Sequence, residues 1–267
     1  MEIRVIPTEL DGVVVVETEF VQDERGFLIE SYHRRRYAEH GIDLEFVQEN
    51  HSRSARNVLR GLHYQDLTAP MAKLARCTAG AIFDVAVDLR VGSPTFGRWV
   101  GVELTAENKR QLLVPVGFAH GFAALTEGAE LQYKLSGYYT PSAEGVVAWD
   151  DPDLAIAWPV RDPILSPRDR NAPRLRDYLA NPAFRWGSEG LKVAGRRSQV
   201  AGPSFQSRGG AAGLAGHTWA RDTPTCDLGP ATCDPEGTWR RTASSRRTTT
   251  GPSARTSRCC ASPQATR

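Results

Sequence analysis

Residues 81–90 carry the clearest hydrophobic pattern in the chain: Phe83, Val85, Val87 and Leu89 alternate with Asp84, Ala86, Asp88 and Arg90. A period of two is that of a β-strand with one buried face. Gly92-Ser93-Pro94 then imposes a turn, and residues 99–104 begin another strand. Residues 111–116 form a third and end at Pro115-x-Gly117. Residues 130–139 alternate again, placing Leu131, Tyr133 and Leu135 on one face and Gln132 and Lys134 on the other. Helical periodicity is confined to residues 32–40 and 174–179. Many short strands separated by turns predict an antiparallel sandwich or barrel. There is no Walker loop and no G-x-G-x-x-G, which argues against nucleoside triphosphate hydrolysis and against a bound nicotinamide.

Composition divides the chain at Trp186. Residues 187–267 are rich in Arg, Ser, Thr, Gly, Ala and Pro and contain almost no Ile, Val or Leu. They hold 12 Lys/Arg against 5 Asp/Glu, a net charge of +7, so the overall +2 leaves −5 on residues 1–186. A segment with so little apolar surface cannot offset its ordering entropy, so a folded domain over 1–186 and a disordered basic tail over 187–267 are expected. The tail's Arg240-Arg241 and Arg246-Arg247 would attract phosphate, but they lack interleaved aromatics, and nucleic-acid binding is not expected. The composition of the tail fits a GC-rich reading frame better. Cys77 alone lies in the domain, which gives no disulfide framework and suits a reducing cytoplasm. Cys226 and Cys233 lack the C-x2–4-C spacing of zinc sites. No run approaches the roughly 20 apolar residues of a membrane span, so a cytoplasmic protein is expected.

Two segments bear on chemistry. Pro115-Val116-Gly117-Phe118-Ala119-His120 resembles the second motif of cupin barrels, and Gly61-Leu62-His63-Tyr64-Gln65 stands where the first would fall. This implies an all-β fold, a jelly-roll, cupin-like double-stranded barrel with a few short helices. Metal-binding cupins place two histidines and a carboxylate in the first motif, whereas here His63-x-Gln65 is followed by Lys73. An ammonium group in that place repels a divalent cation. A barrel free of metal and of other cofactors is expected, with acid–base side chains supplying the chemistry.

A more specific resemblance rests on ordered motifs. Asp23-Glu24-Arg25-Gly26-Phe27-x-x-Glu30, Phe46-Val47-Gln48-Glu49-Asn50-His51-Ser52 and Val58-Leu59-Arg60-Gly61-Leu62-His63-Tyr64-Gln65 are similar to segments of the dTDP-4-dehydrorhamnose 3,5-epimerase family. So are Phe83-Asp84-Val85-Ala86-Val87-Asp88, Gly92-Ser93-Pro94-Thr95-Phe96-Gly97, Gly117-Phe118-Ala119-His120-Gly121-Phe122, Tyr133-Lys134, Tyr138-Tyr139 and Leu165-Ser166-Pro167-Arg168-Asp169. The resemblance spans residues 1–186 and none of the tail.

The resemblance implies epimerisation at C3 and C5 of dTDP-4-dehydro-6-deoxy-D-glucose, beside a C4 ketone that acidifies both positions. Such chemistry needs a base on one face, an acid on the other and a group that stabilises the enolate. By resemblance His63 is the base, Asp169 its partner, Tyr133 the acid and Lys73 the charge beside the C4 oxygen. Arg25, Arg60 and Arg168 would meet the diphosphate, because guanidinium forks fit phosphate oxygens. Glu30, Gln48, Glu49, Asn50, His120 and Glu144 would hydrogen-bond sugar and nucleotide, and Tyr139 would stack on thymine. The family also implies a homodimer that pairs N-terminal strands. Two departures, Met71 where Gln is common and Arg168 where Lys is common, leave acid and base intact and fall where sugar selection varies. A 3-only or 5-only epimerase, or a ketoisomerase, of another deoxysugar stays open; a non-catalytic sugar- or nucleotide-binding barrel is the reading of another class, and intact His63, Tyr133 and Asp169 speak against it.

Overall fold

Eleven strands build two facing antiparallel sheets in the computed structural model. The first holds β1 (Ile3–Pro7), β2 (Val14–Thr18), β5 (Gln48–Ser54), β7 (Lys73–Ala79), β10 (Gln111–Val114) and β12 (Ala129–Leu135), in the order β1-β2-β10-β7-β12-β5. The second holds β6 (Leu59–Gln65), β8 (Ala81–Asp88), β9 (Trp99–Thr105), β11 (Phe118–Ala124) and β13 (Glu144–Val146), in the order β13-β6-β11-β8-β9. A separate hairpin pairs β3 (Phe20–Asp23) with β4 (Gly26–Ile29). With three α-helices of four to six residues among the described residues, this is the all-β, jelly-roll, cupin-like barrel expected.

The structure describes residues 1–188, 232–233 and 239–240. The chain divides into units 1–204 and 205–267, and of the second only an antiparallel pair, β14 (Thr232–Cys233) with β15 (Trp239–Arg240), is described. Apart from that pair and residues 187–188, the disorder expected of the tail lies outside the described residues.

The barrel is filled from both sheets. Val13, Val15, Ala75, Leu112, Val114 and Leu131 meet Ile82, Ala86, Leu104, Phe118 and Phe122 in one buried cluster. The outer faces are also covered. Residues 31–46, including α1 (Arg34–Glu39), lay Tyr37 and Ile42 against Val16, Leu74 and Leu113. Across the barrel, Val147, Leu154, Leu175, Tyr178 and Phe184 cover Leu62, Val85, Val87 and Leu89. Each such side chain contributes about 1.5–3 kcal/mol on burial, and these coverings tie the flanking segments to the barrel.

That double covering corrects the reading of β8. Residues 82–90 alternate, but both faces are buried: Asp84, Asp88 and Arg90 each have 0% exposure. Asp84 points into the barrel toward His120, while Asp88 binds Arg90 through Nε at 2.8 Å and Nη2 at 2.7 Å. Arg90 lies between the rings of Phe118 and Trp186, 4.3 and 4.5 Å from their centroids, so Trp186 is held against the barrel.

The two expected helices occur as α1 and α3 (Leu175–Ala180), with His33 and Arg174 at their N-caps. A third, α2 (Pro167–Arg170), was not anticipated. β12 ends at Leu135 rather than 139, and beyond it Gly137 packs so tightly on Pro70 that an added Cβ would lie 2.8 Å from its carbonyl oxygen.

Candidate active site

β5, β6, β7, β12 and β13 converge on a cavity of about 300 Å³ between the two sheets. His63 and Gln65 enter it from β6, Lys73 from β7, Tyr133 and Leu135 from β12, Gln48 and Asn50 from β5, and Glu144 from β13. Met71, Tyr139 and Arg168 complete the wall. The volume suits a single sugar ring, at the small end of ligand pockets (roughly 300–1,000 Å³).

His63 is placed by strand pairing. It lies opposite His120 on β11 and Val146 on β13. Gly61, two residues before it, has φ +132°, and an added Cβ would stand 2.5 Å from Gly121 Cα. Only paired glycines let β6 and β11 approach this closely beside the cavity.

Asp169 reaches His63 from α2, with Oδ1 2.6 Å from Nε2. The local sequence explains that position. Ser166 caps α2, accepting from the Asp169 backbone at 3.1 Å and donating its hydroxyl to Asp169 Oδ2 at 2.9 Å, and Pro167 occupies the first helical position. The carboxyl is only 3% exposed. Burial alone would raise its pKa, but the hydrogen bond and charge of His63, with help from Ser166 and Arg168, hold it below the ordinary value. An ionised carboxylate only accepts, so Nε2 carries the ring proton in neutral His63 and Nδ1 is the basic nitrogen.

Lys73 Nζ lies 3.5 Å from the His63 carbonyl oxygen. Burial pushes its pKa down from 10.5 to about 8, with Glu144 and Asp84 acting in the opposite direction. Tyr133 stands on the opposite sheet from His63, and its phenol oxygen accepts from Asn50 Nδ2 at 3.2 Å. At the rim, Tyr139 Oη donates to Glu144 Oε2 at 2.6 Å, and Arg168 pairs with the same carboxylate. Burial would raise the Glu144 pKa, but these two partners hold it below its usual value. The Glu144 bond in turn raises the Tyr139 pKa.

Five residues expected to bind substrate lie outside this cavity. Glu49 points to the other face of β5 and accepts from Lys134 Nζ at 2.7 Å, a consequence of the strand's period of two. Arg60 is exposed, its Nε donating to Ser54 Oγ at 3.2 Å. His120 is buried behind His63, with Nε2 2.7 Å from Asp84 Oδ1. Arg25 folds onto Asp23 at the turn of the β3–β4 hairpin, and Glu30 pairs with Arg36 Nη1 at 2.9 Å. Three other residues hold the site together without having been anticipated. Gln65 ties two wall segments by donating to Ala69 O at 2.9 Å and accepting from Thr140 N at 2.8 Å. Its signal was its place two residues after His63. Ser166 was legible as a Ser-Pro-x-Asp cap, whereas Asp84 read only as one polar position of an alternating strand.

The site suits acid–base work better than metal binding. Nε2 of each histidine in the barrel is engaged by its own carboxylate, and Lys73 stands beside them. Among the described residues no three His, Cys, Asp or Glu side chains cluster as metal ligands. Nor is any described helix long and apolar enough to cross a membrane.

Known proteins resemble this chain in both sequence and fold. The sequence model of the family described as dTDP-4-dehydrorhamnose 3,5-epimerase matches residues 7–177. The chain is 52% identical over 177 residues to the dTDP-4-dehydrorhamnose 3,5-epimerase of Salmonella typhimurium, covering 66% of this chain and 97% of that one. It is 44% identical over 175 residues to the dTDP-4-dehydrorhamnose 3-epimerase of Streptomyces niveus, covering 65% of this chain and 84% of that one. Its structure resembles the dTDP-6-deoxy-D-glucose-3,5-epimerase of Legionella pneumophila, solved in complex with dTDP-4-keto-L-rhamnose. That match has a TM-score of 0.67 and 46% identity, over 70% of this chain and all of the other. The chain therefore belongs to the dTDP-4-dehydrorhamnose 3,5-epimerase family.

Proposed function

We propose that this chain epimerises dTDP-4-dehydro-6-deoxy-D-glucose at C3 and C5 to dTDP-4-dehydro-L-rhamnose, an isomerase reaction of deoxysugar biosynthesis. The observation that carries the reading is the pairing of His63 with Asp169 on one wall of the cavity and Tyr133 on the other. His63 Nδ1 removes the proton beside the C4 ketone, and the electron pair moves onto the C4 oxygen. The Asp169 carboxylate stabilises the imidazolium that forms. Lys73 supplies positive charge to the enolate oxygen, and Tyr133 delivers a proton to the opposite face. At the rim Arg168 meets the diphosphate, Glu144 hydrogen-bonds sugar or nucleotide, and Tyr139 stacks on thymine. Incubation in D2O is expected to place deuterium at both C3 and C5. Label at one carbon would support a second reading, a single-centre epimerase, an activity named for the 44% identical 3-epimerase.

The chain acts as a homodimer in this reading. Val21, Phe27 and Leu28 on the β3–β4 hairpin are 58–67% exposed, an apolar surface suited to a second copy. A second copy could also bring Arg25 to a nucleotide that its own cavity does not let it reach. The catalytic domain ends near Trp186, and the protein works in the cytoplasm on a small-molecule substrate without nucleic acid or membrane.

A further inference from the structure

The inward face of β5 is polar where a barrel strand would ordinarily be apolar, and its side chains form a directed chain of hydrogen bonds. The backbone N–H of Tyr139 donates to Gln48 Oε1 at 3.0 Å. Gln48 Nε2 donates to Asn50 Oδ1 at 2.9 Å, and Asn50 Nδ2 donates to the Tyr133 oxygen at 3.2 Å. The direction is set at one end, because a backbone N–H can only donate. Gln48 must offer it the carbonyl oxygen, which turns its NH2 toward Asn50. Asn50 must then turn its own NH2 toward Tyr133.

Two consequences follow for the phenol. Its oxygen is occupied as an acceptor by Asn50, so its proton is not drawn to a neighbouring amide carbonyl and is available to the cavity. Once that proton leaves, the Asn50 donor stabilises the phenolate that remains. We infer that Gln48 and Asn50 are positioning residues for Tyr133: they hold the phenol with its proton directed at the substrate and link it to the Tyr139 rim. The inference rests on Tyr133 being the acid of the proposed reaction. It also gives the two amides a role distinct from direct contact with sugar or nucleotide.

The test uses the full chain with dTDP-4-dehydro-6-deoxy-D-glucose in D2O, following inversion and solvent exchange separately. Asn50→Ala should lower kcat for inversion about three- to tenfold, the size of one neutral hydrogen bond. KM and exchange on the His63 face should stay within twofold. In the Tyr133→Phe background Asn50→Ala should add nothing, because the group through which it acts has gone. Gln48→Glu, nearly the same shape, should act more strongly. A carboxylate there accepts from Asn50, turns its carbonyl toward Tyr133 and captures the phenolic proton, so inversion should fall about tenfold or more while exchange persists. A rise in KM at constant kcat for Asn50→Ala, losses that multiply in the double variant, or a Gln48→Glu enzyme that inverts at the wild-type rate would each overturn the inference. If Tyr133→Phe alone inverts normally, it is the acid assignment that fails. If Tyr133→Phe is slow but both amide variants invert normally, the assignment stands and only the positioning role is lost.

Discussion

Asp169→Asn removes one charge and changes no volume. In the native site a carboxylate held below its ordinary pKa lies 2.6 Å from His63 Nε2, almost out of contact with water. Hydrogen bonds to charged groups contribute about 1.5–3 kcal/mol, and one decade in rate corresponds to about 1.4 kcal/mol. Losing the charge while His63 becomes an imidazolium should therefore slow proton abstraction by about 10- to 150-fold. The loss could be larger for a geometric reason. Ser166 Oγ donates to Oδ2 at 2.9 Å but can rotate, so the asparagine could present its NH2 to His63. The ring would then carry its proton on Nδ1 and offer the substrate no base, a tautomer error that costs about 10⁴-fold in the serine-protease triad. Exchange at C3 and C5 in D2O, read by NMR alongside inversion, should fall together in Asp169→Asn, since both begin with the same abstraction. Rates within threefold of wild type would refute the coupling of Asp169 to the base.

Two further outcomes are expected. Burial pushes the Lys73 pKa down to about 8, and as the cation beside the C4 oxygen it should set the alkaline limb, so kcat should fall as pH rises through about 8. In a Lys73→Met variant this alkaline limb should vanish along with most of the activity, and a pH–rate profile of both enzymes checks it. A chain ending at Ser188 should keep its fold, its turnover and a dimer mass by light scattering, because it retains the packing of Trp186 on Arg90. A monomer mass at micromolar concentration would count against the hairpin as an interface.

The legible strands were β8 and β12, found by alternation, and β9 and β10, bounded by turn residues, although β12 stops at Leu135. β5 gave no such signal, because Gln48, Asn50, Ser52 and Ser54 alternate inward as polar residues, the first two of them lining the cavity. A functional cavity inverts the pattern on which strand reading relies. β8 misled in the other direction. Its acids looked solvent-facing, and only the opposite sheet and the covering segment showed that Asp84 and Asp88 are buried with partners. In the site, His63, Lys73 and Tyr133 were assigned through motifs, and their meeting depends on strand pairings remote in sequence. His63 and Asp169 are separated by 106 positions, and no periodic signal joins them. Arg25, Glu30 and Arg60 show the converse limit: a motif names residue types, while pairing and register decide which of them face the same cavity.

The two-faced mechanism meets its most direct test in the contrast between two variants in D2O. His63→Ala should abolish both inversion and deuterium uptake at C3 and C5. Tyr133→Phe keeps the ring and removes only the hydroxyl, so uptake on the His63 face should persist while inversion falls by about 10²–10⁴-fold, the usual contribution of a general acid. Normal inversion by Tyr133→Phe together with continued uptake by His63→Ala would contradict the account, leaving a barrel that only binds its sugar.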